Sequence, residues 1–356
     1  MRGSTRPHLT HRRRSTILRI AHRFVVVSLA GSVLAGVAAA QFGNEWVSFH
    51  EDTNGRLDSS PDLGDSDIQE KDYAWADLDQ DGWTDLVVAR KQPYTTTGKR
   101  VNVLFMNQSG VLRDRTAAFA SASDVPGDLG FLQPTNDRDV VIADVDQDGW
   151  LDVVTATALG FSDPKHISHP RVYRNLGSSG GSWLGLLHED ARFPQLFTSA
   201  GSPKAPAFCS VAAGDVTGNG YPDLHFTDYD TGGAGGANDL NDRLLINDGA
   251  GFFVDESFLR MTSSMLVSDF GTSSEIVDLN LNGIGDIVKN EDGDGEAFYN
   301  DPTNIGFFNI LHDIQDGSPY FVSTGDLNND GRIDVIWSDD GSDRYRYNTG
   351  TDLLER

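Results

Sequence analysis

Asp77, Asp79, Asp81 and Asp85 crowd into the nine residues DLDQDGWTD at 77–85, with Gly82 between the last two. Carboxylates this close repel one another, so such a cluster is unfavourable unless a cation sits among them. DVDQDGWLD at 144–152 repeats the arrangement with Asp144, Asp146, Asp148 and Asp152. Three more copies follow: DVTGNGYPD at 215–223, DLNLNGIGD at 278–286 and DLNNDGRID at 326–334. The shared pattern is D-x-[DNT]-x-[DN]-G-x-x-D. In a tight loop, positions 1, 3 and 5 can turn their side-chain oxygens to one centre. In the later copies these are Asp215, Thr217 and Asn219; Asp278, Asn280 and Asn282; and Asp326, Asn328 and Asp330. The glycine at position 6 allows a sharp turn that faces the position 7 carbonyl inward, from Trp83, Trp150, Tyr221, Ile284 and Arg332. An aspartate at position 9 closes the cage: Asp85, Asp152, Asp223, Asp286 and Asp334. Calcium takes six to eight oxygens at roughly 2.3–2.6 Å in a flexible geometry, which is what such a loop supplies. The EF-hand loop starts alike, but its last ligand is a glutamate on a helix. Here position 9 runs into a strand pattern.

A plain Asp-Gly hairpin turn is the competing explanation. It accounts for the D-G pair but not for acids or amides at positions 1, 3, 5 and 9 in five copies. The turn reading is stronger for the third and fourth loops, where Thr217, Asn219, Asn280 and Asn282 replace carboxylates. Counting ligand aspartates gives 4, 4, 2, 2 and 3 along the chain. The expected order of affinity is therefore loops one and two, then five, then three and four.

The flanks that must position these loops repeat as well. Short apolar runs precede each loop, such as DYAWA, DVVIA and YFVSTG, and others follow it: LVVAR, VVTAT, LHFTD, IVKNE and VIWSD. A third segment appears as VNVLFMNQSG, PRVYRNLGSS, DRLLINDGAG, EAFYNDPTN and DRYRYNTGT, and a fourth as VLRDRTAAF, WLGLLHEDARF and FFVDESFLRM. Alternating Val, Ile, Phe and Tyr with Gly, Asn and Asp punctuation predicts antiparallel strands. Units of about four strands define an all-β fold, a β-propeller of four-stranded blades. Five motifs are present; a seven-bladed or truncated ring is the alternative. The fifth unit shows three strands, and EWVSFHEDTNGRL at 45–57 resembles a fourth, so it is a candidate to complete the last blade.

Residues 1–40 are of another kind. Seven arginines and no acidic residue precede the apolar run FVVVSLAGSVLAGVAAA at 24–40. Its small-residue end, Ala38 and Ala40 ahead of Gln41, predicts a secretory signal peptide over 1–40 and a propeller over 41–356. A membrane anchor is the alternative, for a run short for a span. Arg13-Arg14 suggests a twin-arginine route, although Thr16 stands where an aromatic is usual in that signal. Without those seven arginines, 21 basic residues face 53 acidic ones, a net charge of −32. Nucleic acid and anionic membranes are thereby disfavoured as partners, and metal cations favoured. Cys209 is the sole cysteine, in the strand-like run FCSVAAGD, so no internal disulfide forms and a buried inert thiol is expected.

Through these five loops the chain resembles the FG-GAP repeats of integrin α-chain propellers and the VCBS or FG-GAP-like repeats of bacterial exported proteins. The resemblance covers residues 72–350, and its specific part is the nine-residue loop. It implies calcium between the first two strands of each blade, and binding or adhesion at the cell surface or outside the cell, toward a protein or carbohydrate. Integrin-type rings have seven blades, against five motifs here.

Loops joining strands two and three belong on the opposite face: 90–100, 158–171 and 228–243. Their candidates for partner contact are Arg90, Lys91, Tyr94, Lys99, His166, His169 and Tyr229. His166 and His169 with Asp163 form a weak transition-metal candidate. No phosphate loop or cysteine–histidine pattern is present, and no catalytic residue is assigned. A polysaccharide hydrolase or lyase is the alternative, and would need carboxylates or a histidine converging on the propeller axis. Asp292 and Asp294 in NEDGDGE read as a solvated turn.

Overall fold

The computed structural model describes residues 51–58, 71–91, 98–158, 163–229, 240–267, 270–291, 293–317, 319–339 and 341–350. The expected signal peptide, residues 45–50, Tyr94 and Asp292 lie outside them. Apart from Glu51, the described residues belong to one compact unit, Asp52–Arg356.

The apolar alternation yields five blade sheets in chain order, antiparallel apart from a short parallel edge strand on each of the first two, with a two-stranded ribbon at 178–183 beside them. Blade one holds Lys71–Ala76, Asp85–Arg90, Val103–Gln108 and Val111–Asp114. Blade two holds Asp137–Ala143, Asp152–Thr157, Arg171–Asn175 and Leu186–His188. Blade three holds Phe208–Gly214, Asp223–Asp228, Arg243–Asn247 and Phe253–Asp255. Blade four holds Ser273–Val277, Asp286–Asn290, Asp294–Asn300 and Phe308–Asp316. Blade five has three described strands, Phe321–Gly325, Asp334–Ser338 and Arg344–Arg346. The first strands lie beside one another in chain order. This is a five-bladed β-propeller arrangement, nearly all β, whose helices are single turns.

The sequence dictates why the blades stack. The second strands of blades one to four are buried along their whole lengths, so both faces of each sheet are covered. Four apolar cores lie between consecutive blades. Leu78, Val87 and Leu104 meet Val140, Val153 and Tyr173; Val154 and Val172 meet Phe208, Leu224 and Phe226. Leu244 and Ile246 meet Ile287 and Phe298, and Val288 and Ala297 meet Val335 and Trp337. At roughly 1.5–3 kcal/mol for each large apolar side chain buried, these interfaces dominate the folding energy.

Among the described residues, no comparable packing joins the first strand of blade five to that of blade one. The described part of the 45–57 stretch lies against blade one. There Thr53–Arg56 forms a helical turn, Leu57–Asp58 pairs in parallel with Leu112 and Arg113, and Arg56 Nη1 donates to the Gly110 carbonyl at 3.0 Å. Asp294 starts a strand rather than sitting within a turn, and its carbonyl accepts the Glu291 N–H at 2.9 Å. Cys209 is buried and free, and burial pushes its thiol pKa up.

Candidate metal loops and the opposite face

Each nine-residue loop joins strand one to strand two of its blade, and all five adopt one backbone course. Position 4 is left-handed in every copy: Gln80, Gln147, Gly218, Leu281 and Asn329 have φ of 58, 56, 72, 59 and 59°. Position 6 is glycine with φ between 87 and 93°, a region that L side chains rarely occupy. The position 1 carboxylate then caps the turn. Asp77 accepts the N–H groups of Asp81 and Gly82 at 3.0 and 2.9 Å, and Asp278 those of Asn282 and Gly283 at 2.9 and 2.8 Å. Asp144, Asp215 and Asp326 do the same. The position 5 oxygen accepts the N–H of position 7 in all five, from Trp83, Trp150, Tyr221, Ile284 and Arg332.

Position 9 has a second task. Asp85 Oδ2 accepts the Leu78 N–H at 3.0 Å, and Asp85 Oδ1 the Asn107 N–H at 2.8 Å. Asp152, Asp223, Asp286 and Asp334 make the same pair of bonds, to position 2 of their loop and to an asparagine ending or just past strand three. Burial, more than any other influence, raises these carboxyls: Asp85 and Asp152 to about 7, Asp223 and Asp286 to about 6. Burial and then the neighbouring Asp81 raise Asp79 as well.

Among the described residues, two carboxylate groups lie close enough to hold an ion. One oxygen each from Asp77, Asp79 and Asp85 falls within 4.8 Å of the others, and likewise from Asp144, Asp146 and Asp148. In loop two, Arg192 Nη2 donates to Asp146 Oδ2 at 3.0 Å, while Asp146 Oδ1 is buried without a hydrogen-bond partner. An orphaned buried carboxylate oxygen beside two other carboxylates fits a cation. In loop five, Arg332 Nη1 and Asn328 Nδ2 both donate to Asp330 Oδ2.

The opposite face uses its predicted residues differently. Arg90 is buried, with Nη1 donating to the Val101 carbonyl at 3.3 Å. Lys99 pairs with Asp163. Tyr229 lies beneath the Arg138 guanidinium, 4.3 Å from the ring centre, and meets Phe270 edge-on. Lys91 and His166 are half-buried. His166 stands in a one-turn helix, Lys165–Ser168, rather than in a loop. His169 is buried, its two ring nitrogens facing Ser168 Oγ at 3.0 Å and Gln195 Nε2 at 3.1 Å. His166, His169 and Asp163 are therefore not brought into one metal cluster. Burial, reinforced by Lys165, lowers the His169 pKa to about 4.

Carboxyls do meet on the first strands. Asp72 and Asp139 hydrogen-bond each other, and burial first, then Asp72, raises Asp139 well above the carboxylate range. Each also serves the next blade: Val140 N–H donates to Asp72 Oδ2 at 3.3 Å, and Val211 N–H to Asp139 Oδ2 at 2.8 Å. Ser123, His188 and Asp128 mimic a nucleophile relay, but Ser123 Oγ and Asp128 Oδ1 approach the same nitrogen, Nδ1, at 3.0 and 3.6 Å. A relay needs the base between its two partners.

The asparagines are functional residues that a count of loop motifs does not reveal. Asn175 Nδ2 donates to the Leu78 carbonyl at 2.9 Å, Asn247 Nδ2 to Val145 at 2.8 Å, Asn300 Nδ2 to Val216 and Asn348 Nδ2 to Leu279, both at 2.6 Å. Each stitches a blade to the loop of the blade before it. Their signal is an Asn followed within three residues by Gly in every third segment but that of blade four, where Gly306 stands six residues after Asn300.

The FG-GAP-like repeat family matches residues 77–155, from loop one into strand two of blade two. No match was found among curated proteins. Among solved structures, the chain is similar to an Agrocybe aegerita lectin described for specific recognition of non-reducing terminal N-acetylglucosamine. That match has 21% identity and a TM-score of 0.48 over 80% of this chain and 64% of the lectin. A second is the V. cholerae biofilm matrix protein Bap1, with 15% identity and a TM-score of 0.38 over 79% of this chain and 37% of that one. The chain thus spans under two thirds of either. Among the described residues no helix is long and apolar enough to cross a membrane.

Proposed function

We propose that this propeller is exported, is stapled by calcium at its strand-one to strand-two loops, and serves as a non-catalytic binding or adhesion module for protein or carbohydrate outside the cell. The observation that carries the reading is the convergence of Asp77, Asp79 and Asp85 within 4.8 Å of one another on a loop whose backbone is fixed by its own carboxylates. Asp77, Asp79, Asp81, the Trp83 carbonyl and Asp85 would hold the ion in loop one, with the corresponding residues in the other four. Calcium would supply positive charge that offsets the repulsion among these acids and ties strand one to strand two.

Extracellular calcium modules bind at roughly 0.1–1 mM, so at millimolar calcium each occupied loop contributes about 1 kcal/mol. Calorimetry of the full chain in chelator, in magnesium and in calcium tests this. We expect a calcium-specific rise in melting temperature on the order of 10 °C. Equal melting in chelator and in calcium refutes the staple. The hydrolase alternative is disfavoured by the employment of Asp72 and Asp139, which bond each other and the backbone of the next blade.

A further inference from the structure

A cavity of about 480 Å3 opens between blades two and three, lined by Gln195, Phe197, Thr198, Ser199, Gly201, Asp255 and Phe258. Its size falls within the roughly 300–1,000 Å3 typical of small-molecule sites. Two of its walls are aromatic rings left open to solvent, Phe197 at 47% and Phe258 at 55% exposure. Both rings thus stand at one concavity with apolar surface available to a ligand.

The walls are built rather than incidental. The fully buried Arg243 guanidinium stands behind them. Its Nε meets Asp255 Oδ2 at 3.2 Å, its Nη2 donates to the Phe197 carbonyl at 3.3 Å, and its carbon lies 4.9 Å from the Phe258 ring centre. Asp255 is fixed further by the N–H and hydroxyl of Ser257. The 196–204 segment closes on itself: Lys204 N–H donates to Leu196 O at 3.1 Å, Thr198 N–H to Ser202 O at 2.9 Å, and Ser202 N–H to Thr198 Oγ1 at 3.2 Å. One buried cation therefore positions both aromatic walls and the carboxylate between them, the support that preorganised sites need.

The chemistry of the lining selects the ligand. Among the described residues no lysine or arginine side chain lines the cavity, and Arg243 is neutralised by Asp255 and by backbone carbonyls, so no described group there compensates an anion. Asp255 is likewise committed to Arg243 and Ser257, which leaves no spare charge for a cation. The remaining polar groups are neutral. The Gln195 amide directs its NH2 to Leu196 O and His169, which leaves its carbonyl oxygen as acceptor, and the Ser199 and Thr198 hydroxyls stand beside it. Electron-rich ring faces with a few neutral donors and acceptors suit a ligand with polarised C–H faces and many hydroxyls. We infer that this inter-blade cavity binds a neutral sugar ring of a glycan, stacked on Phe197 and Phe258 and hydrogen-bonded by Gln195, Thr198 and Ser199. The inference rests on the reading of the propeller as a binding module, and it gives that module a ligand class.

Saturation-transfer NMR of the full chain with glucose, galactose, mannose and N-acetylglucosamine, and with glucuronate as an anionic control, tests it. We expect at least one neutral sugar to bind, glucuronate to bind at least tenfold more weakly, and Phe258→Ala to weaken the neutral sugar at least tenfold. Phe321→Ala, on the 63% exposed Phe321 of blade five, should leave binding unchanged. Silence from every neutral sugar overturns the inference, as does binding that survives both Phe197→Ala and Phe258→Ala, or glucuronate binding as strong. Melting in calcium and chelator on the same samples keeps the two readings apart. A calcium-shifted melt with silent sugars overturns the pocket alone, whereas Phe258-dependent sugar binding without a calcium shift upholds the pocket and removes the staple.

Discussion

Replacing Asn247 by leucine should destabilise the propeller without removing any of the loop oxygens proposed to hold an ion. The side chain is buried and makes four hydrogen bonds. Nδ2 donates to the Val145 carbonyl of blade two at 2.8 Å and to the Pro222 carbonyl at 3.0 Å; Oδ1 accepts the Gly249 and Gly251 N–H groups at 2.9 and 3.1 Å. Leucine has nearly the same volume and fills the space, so the loss is polar. Each bond contributes about 1 kcal/mol net, and the backbone groups left behind have no water to turn to. Four bonds amount to roughly 4 kcal/mol, a fall in melting temperature of about 8 °C. Asn247→Asp is the control. It keeps both acceptors but faces a carboxylate with two carbonyl oxygens, so it should destabilise at least as much. Differential scanning calorimetry in saturating calcium reads both variants, with the unsubstituted chain as reference. An Asn247→Leu protein that melts with the reference would show that the inter-blade stitch contributes nothing, and that apolar burial alone joins the blades.

His169 makes the fold sensitive to acid. Its pKa falls from 6.5 to about 4 on folding, so the unfolded chain takes up the proton first. Its contribution is complete above pH 6.5 and is lost as pH falls toward 4, by roughly 3 kcal/mol in all. Urea midpoints at pH 7 and 4.5 should drop less in His169→Gln than in the parent, and equal drops would refute this. Leu281 holds φ at 59° on an exposed loop position, a conformation costing L-residues about 1–2 kcal/mol. Leu281→Gly should raise the melting temperature slightly, and a fall would show that the leucine side chain compensates its backbone.

Much of the architecture is legible in the residues. The loops are written in five copies, and the strands around them alternate visibly, so blade number and loop position follow from spacing. Individual roles are less legible because they depend on what the next blade brings. Position 4 reads as a mere spacer, although it takes the left-handed turn in every loop; Gln80, Leu281 and Asn329 share no chemistry that would mark it. Arg90 and His169 read as surface recognition residues because charge usually means exposure, yet both are buried behind blade contacts. The sugar pocket is invisible in the sequence, since Phe197 and Phe258 stand 61 residues apart and meet only where two blades pack.

The two arginines in the loops show how neighbouring structure divides copies that residue counts treat as equal. Loops one and two carry the same four aspartates, but only Asp146 has a guanidinium on one oxygen, from Arg192, which itself is fixed by Glu189 and the Ala250 carbonyl. That contact engages Oδ2 and leaves Oδ1 buried and unpartnered. If loop two holds the proposed ion, Arg192 would orient Asp146 toward it while adding a positive charge near the site. Orientation lowers the entropy lost on binding, and the charge opposes the ion, so carboxylate number alone does not rank these two loops. In loop five the arginine comes from position 7 of the loop itself and sits at Asp330 on an exposed turn, where solvent screens the pair and its hold is weak. The same residue type thus makes a fixed, buried contact with a loop carboxylate in blade two and a loose surface contact in blade five. Burial, set by the neighbouring blade, decides between them.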